Sequence, residues 1–171
     1  EKQKMNKDMP HYLRTQTLAL VNENKPANAP EQVGALIGAW IGALDEDDLA
    51  GIDPRNLAAI LWDAFAQMAQ RTTDGCQIAE NRYTDGRCGM STSLLILNED
   101  MPYLVDSFVM ALRRQRVVAS GVLNTVLPVR RDAAGRVVAV GEAGAPLESY
   151  VLCLLAEDLP QDELAELVAR I

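Results

Sequence analysis

Apolar residues recur at helical spacing in two early stretches, then give way to shorter strand-like runs. In EQVGALIGAWIGAL (31–44), Val33, Leu36, Ile37, Trp40, Ile41 and Leu44 fall on one side. That is the i, i+3, i+4, i+7 pattern of a helix burying a stripe. Gly34, Gly38 and Gly42 recur every four residues along it, which predicts another element lying tight against that side. DPRNLAAILWDAFAQMAQR (53–71) is predicted as a helix with Leu57, Leu61, Phe65 and Met68 as its stripe. Asp53 suits the cap and Pro54 the first helical position, where a missing N–H costs nothing. DEDD (45–48) between them is a solvated turn or a cation-binding cluster; it lacks the glycine and glutamate spacing of a calcium loop.

From residue 72 the texture changes. TTDGCQIAENRYTDGRCGM has turn signals at Asp74-Gly75 and Asp85-Gly86 and predicts a short hairpin or an irregular edge. STSLLILN (91–98) is a buried strand. PYLVDSFVMALRRQR (102–116) is a helix with Val105, Phe108, Val109 and Leu112 on one face and a basic end that suits the helix dipole. ASGVLNTVLPVRR (119–131) is a strand in which Pro128 demands an edge or a bulge. DAAG (132–135) is a turn, RVVAV (136–140) a returning strand, GEAGAP a loop, ESYVLCLLA (148–156) another strand, and LPQDELAELVARI (159–171) a closing helix.

The order from residue 91 is β-α-β-β-α with a hairpin extension, one strand short of a ferredoxin-like βαββαβ unit. The fold class expected is α+β: a helical lead-in, then an antiparallel sheet with helices on one face. Residues 1–29 form a tail and linker, 30–71 the lead-in and 72–171 the α+β domain, whose last strand is missing or supplied elsewhere. The bare face of the sheet needs a cover, from residues 31–71 or a second copy.

Composition narrows the chemistry. Asp and Glu number 24 against 16 Lys and Arg, a formal charge of -8, which argues against a nucleic-acid partner. No apolar run reaches the length of a membrane span. The three cysteines (Cys76, Cys88, Cys153) form no CxxC motif. A reduced, cytoplasmic protein is expected, with Cys76 and Cys88 as the only candidates for pairing or metal binding. No GxGxxG follows a strand, and neither a P-loop nor a GxSxG elbow is present. The single histidine, His11, and all four lysines lie before residue 26. No catalytic, cofactor-binding or metal residues are therefore assigned. Arg113, Arg114, Arg116, Arg130, Arg131 and Arg136 are candidates for an anion patch, or simply close a helix and flank a turn.

One corner stands out. In NEDMPYLVDS (98–107), Pro102 resists a helical conformation at Met101 and sets the helix start. The free first-turn amides are satisfied by Asn98, Asp100 or Asp106, or by the carboxylate of a small ligand. Asn98, Asp100, Met101, Pro102, Tyr103 and Asp106 are thus the candidate site, as an effector-binding or domain-packing corner. Asp100 and Asp106 as an acid–base pair would be the enzymatic alternative, with no substrate suggested.

LNEDMPYLVDSFVMALRRQRV, followed by VLNTVLPVRRDAAGRV and ESYVLCL, resembles the N-terminal region of the large bacterial NAD-specific glutamate dehydrogenases. There a helical lead-in precedes an ACT-like domain. The resemblance covers roughly residues 30–171 and is firmest from 91 onward. It implies a parent enzyme that oxidises L-glutamate to 2-oxoglutarate and ammonia with NAD. The cofactor and catalytic groups would lie in other domains, so this region would serve regulation or homo-oligomeric assembly. ACT domains often bind amino acids at this corner, and the family usually has glycine just after the proline. Tyr103 stands there instead, which favours domain packing. A self-contained amino-acid sensor is the alternative.

Overall fold

Strand alternation in the second half of the chain produces a five-stranded antiparallel sheet with two apolar faces. The computed structural model describes residues 2–85 and 89–171, with side chains described outside 2–11, 46, 83–85 and 89–91. The strands are β1 (Gln77–Asp85), β2 (Gly89–Glu99), β3 (Ala119–Arg131), β4 (Val137–Val140) and β5 (Leu147–Leu155). The helices are α1 (Lys2–Glu23), α2 (Glu31–Ala43), α3 (Pro54–Ala66), α4 (Leu104–Arg114) and α5 (Gln161–Arg170). Sheet order is β1-β2-β5-β3-β4.

The central strands β2, β5 and β3 have the order of a ferredoxin-like sheet. The place of the last strand of that unit, beside β2, is filled by β1 from upstream in the chain, paired from Gln77↔Leu97 to Asp85↔Gly89. The place of the last strand is thus supplied from elsewhere in the chain, and the short hairpin or irregular edge expected over 72–90 takes the form of the edge strand β1, longer than expected and paired antiparallel with β2. Arg82 fastens it, donating to Asp158 beyond β5 at 2.8 Å, and Thr92 donates to the same carboxylate. Those bonds, with Arg82 the larger cause, hold the Asp158 carboxyl below its ordinary value.

Register sets the two faces. Leu95, Leu152 and Leu123 form one cross-strand row and face a core shared with the lead-in helices. Leu94, Cys153 and Val122 form a row on the opposite face, beneath Leu104, Phe108 and Leu112 of α4 and Leu164 and Leu167 of α5. Helices thus cover both sides: α4 and α5 one, the lead-in the other, so this chain covers its own sheet. Pro128 lies just outside the β3–β4 ladder, which pairs only Val129 to Arg131, and a bulge falls between Arg130 and Arg131.

Cover on the second face comes from more of the chain than its stripes predict. Within the stretch expected to be tail and linker, α1 buries Thr17 and Val21. Trp62 of α3 donates to the Val21 carbonyl at 2.8 Å, and Arg14 to that of Leu44 at 2.6 Å. Asp53 accepts from the Arg55 amide at 2.9 Å, as its capping role requires. α3 ends at Ala66, not at 71, because the chain turns to pair with β4: Val137 donates to the Ala69 carbonyl and Arg71 to that of Gly135. Gly135, at φ 78°, comes so close that a Cβ there would strike the Arg71 carbonyl oxygen. The glycine ridge of α2 is only partly in tight packing. Gly34 lies against Trp62, while Gly38 and Gly42 face open space. DEDD becomes a short 3-10 turn whose Leu49 is buried. No helix among the described residues is long and apolar enough to cross a membrane.

Candidate functional site

The corner between β2 and α4 forms where the strand stops at Glu99 and the Asp100 amide donates to the Leu147 carbonyl at 3.1 Å. Pro102 does not start the helix itself. Tyr103 follows it in the left-handed conformation, φ 62° and ψ 15°, and α4 begins at Leu104. The first intrahelical bond runs from the Ser107 amide to the Tyr103 carbonyl at 2.9 Å. Tyr103 makes no side-chain cap bond, and among the described residues the first-turn amides of Leu104, Val105 and Asp106 have no partner.

Beside them is a shallow hollow of about 210 Å³. Four of the six candidate residues line it: Asp100, Met101, Tyr103 and Asp106. Asn98 turns its side-chain amide toward the Met101 sulfur at 3.4 Å, and Pro102 does not line the hollow. Asn124 and Ser149 also line the hollow, with Ser149 donating to the Asn124 side-chain oxygen at 3.0 Å. Both escaped sequence reasoning; the only signal was a lone Asn inside the apolar run VLNTV. The hollow is therefore lined by the first turn of α4, with its backbone donors, and by two carboxylates, Asp100 and, on that same turn, Asp106.

Tyr103 is 79% exposed, so its left-handed backbone is not compensated by side-chain burial. Left-handed geometry costs a non-glycine residue roughly 1–2 kcal/mol, offset in part by glycine's larger entropy loss of about 0.5–1 kcal/mol. Tyr103→Gly is expected to leave urea stability unchanged or raise it by up to about 1 kcal/mol, whereas Tyr103→Val should lower it. A loss of more than about 1 kcal/mol on going to glycine would show that the tyrosine ring holds the corner.

A second polar cluster lies where the lead-in meets the sheet. Glu148, at the start of β5, is 3% exposed. Arg131 donates to it through Nε at 2.7 Å and through a terminal nitrogen at 3.0 Å, in a bidentate pair. Tyr150 donates to the same carboxylate at 2.6 Å, and Arg71 approaches it at 3.7 Å. Arg131 also donates to the carbonyls of Met68 and Gly135. Burial, then the adjacent Glu148 charge, pushes the Tyr150 hydroxyl well above its ordinary value. The cleft of about 820 Å³ beside Arg71 and Arg131 presents guanidiniums already engaged by the protein, so the cluster is a fastening.

The arginines considered for an anion patch are therefore dispersed. Arg131 is interior, Arg130 pairs with Glu142, and Arg136 pairs with Asp132. Arg113, Arg114 and Arg116 stay exposed around the end of α4. Cys76 is exposed, Cys153 is buried, and Cys88 lies outside the described residues. Burial pushes the Cys153 thiol up to about 11.

Comparison with known families gives one match: the model described as glutamate dehydrogenase, ACT1 domain, aligns with residues 36–171. No curated protein and no solved structure matches the chain.

Proposed function

The chain belongs to the glutamate dehydrogenase ACT1 domain family, and from that premise we propose that it is a non-catalytic regulatory and assembly segment of an NAD-dependent glutamate dehydrogenase. The parent enzyme would convert L-glutamate and NAD to 2-oxoglutarate, ammonia and NADH in the cytoplasm, with cofactor and catalytic groups held by its other domains. This segment would pack against those domains, work within a homo-oligomer, and sense an α-amino acid at the β2–α4 corner.

The observation that supports sensing is the uncapped first turn of α4, opening onto a hollow flanked by Asp100 and Asp106. Unsatisfied amides at a helix N-terminus donate to a carboxylate, and the dipole there favours negative charge. The two aspartates supply acceptors for an ammonium group. A zwitterionic amino acid satisfies donors and acceptors at once, whereas a simple anion would meet the repulsion of both carboxylates.

Isothermal calorimetry and thermal melting with the twenty amino acids at millimolar concentration test this reading. A ligand at ten times its dissociation constant adds about 1.4 kcal/mol of stability, and Asp106→Asn should weaken it. Absence of heat and of any melting shift across the panel would remove the sensing role and leave assembly.

A further inference from the structure

The seam between β1 and β2 is poorly fitted at one point. On the lead-in face, Asn81 of β1 stands opposite Ser93 of β2 in the register. Ser93 is fully buried, yet its hydroxyl has no hydrogen-bond partner among the described residues. The buried side-chain nitrogen of Asn81 has none either; only the oxygen of that amide is engaged, by Gln67 at 2.9 Å. Buried polar groups nearly always find partners, so two that face each other without bonding mark a seat that does not close well. The ends of β1 are held unequally. Gln77, at its start, donates to the carbonyls of Gln67 and Gln70 and accepts from the Thr72 amide. Past Asn81 the strand is held by Arg82, whose bond to Asp158 lies near the surface, where an ion pair adds little.

We propose that β1 is a releasable strap: hinged at Gln77 and latched at Arg82, it lifts off β2 while the rest of the sheet stays folded. Lifting breaks the ladder to β2, but it also lets water reach Asn81 and Ser93, which recovers the cost of burying both unpaired. Among the described side chains of β1, the motion withdraws only Ala79 and the partly buried Ile78 from the two apolar clusters. The cross-strand rows of β2, β5 and β3 stay covered by helices on both faces. An element with few buried contacts is the kind that opens locally, below the free energy of global unfolding. The opening uncovers the outer edge of β2, a row of unpaired backbone donors and acceptors. The inference does not rest on amino-acid sensing, and either can fail alone.

Hydrogen exchange resolved by residue, on the full 171-residue chain, tests it. The β1 amides that bond to β2 should exchange at least tenfold faster than the ladder amides of β5, and low urea should not change their rate. Asn81→Val with Ser93→Ala removes both unpartnered groups and should slow β1 exchange at least fivefold relative to β5. Asp158→Asn opens the latch and should speed it at least threefold on the same scale. Protection in β5 reports that each variant is folded and serves as the internal standard. Exchange of β1 only together with β5, with the same urea dependence, overturns the proposal. So does a double variant whose β1 exchange, relative to β5, is unchanged.

Discussion

Glu148→Ala is expected to lower unfolding free energy by about 3–5 kcal/mol, the usual cost of removing one partner from a buried ion pair. The reason lies in what remains. The Arg131 side chain is 9% exposed, and burial alone would weaken its charge. The bonds and charge of Glu148 together with Tyr150 more than reverse that, leaving the guanidinium above its ordinary value. Without the carboxylate, a buried cation and the Tyr150 hydroxyl lose their shared partner. Glu148→Gln should cost less, because an amide oxygen still accepts while the charge is lost. The damage should also be local. Arg131 holds the Met68 carbonyl and pairs with Glu148, so amide exchange at Val137 and Arg71 should accelerate more than in β2. Urea denaturation measures the global effect. A loss below about 1 kcal/mol would mean that water replaces the carboxylate and that the pair is effectively exposed.

That cluster shows where sequence reasoning ran out. The stripes of α2 and α3, the strands β3 and β5, and the β2–α4 corner were legible because each is a local pattern in the chain. Arg131 and Glu148 are brought together by the β3–β5 register, and no spacing rule announces a pairing across two strands. Arg131 therefore looked like a turn-flanking surface charge. β1 was obscured for a related reason. Its sequence QIAENRYTD is largely polar, as suits an edge strand, and only Ala79 is fully buried among its described side chains. The corner was found as a corner, but its details were not. The left-handed Tyr103 shifts the helix start past the proline. Asn124 and Ser149 reach the hollow from strands that are neighbours only in space. The glycine ridge of α2 misled in the opposite direction, since regular spacing promised a packed neighbour that only Gly34 has.

Trp40→Ala should be about as damaging as losing Glu148, at about 3–5 kcal/mol, by a different mechanism: a cavity in the core. Trp40 on α2 is fully buried. Its ring meets Phe65 of α3 edge-on at 5.5 Å, and Phe65 stacks on Tyr150 of β5 at 5.7 Å. Its indole nitrogen donates to the Tyr150 carbonyl at 3.2 Å. One side chain of α2 thus touches α3 and the central strand, and deletion removes the aromatic contact together with a buried hydrogen bond. In a chain of this length, each kcal/mol lowers the melting temperature by roughly 2–4 °C, so a fall of about 6–20 °C is expected. Trp62→Phe should cost less, because it keeps most of the ring volume and loses mainly the bond to the Val21 carbonyl. The shape of the transition carries further information. The lead-in and the sheet share one core cluster, so Trp40→Ala should still unfold in a single step with an unchanged denaturant slope. If the lead-in were an independent unit resting on the sheet, the same substitution would split the transition, with helix signal lost before the strands. One step at lower denaturant is the expected result, because Tyr150 and Leu152 lie in the sheet and in the helical core at once.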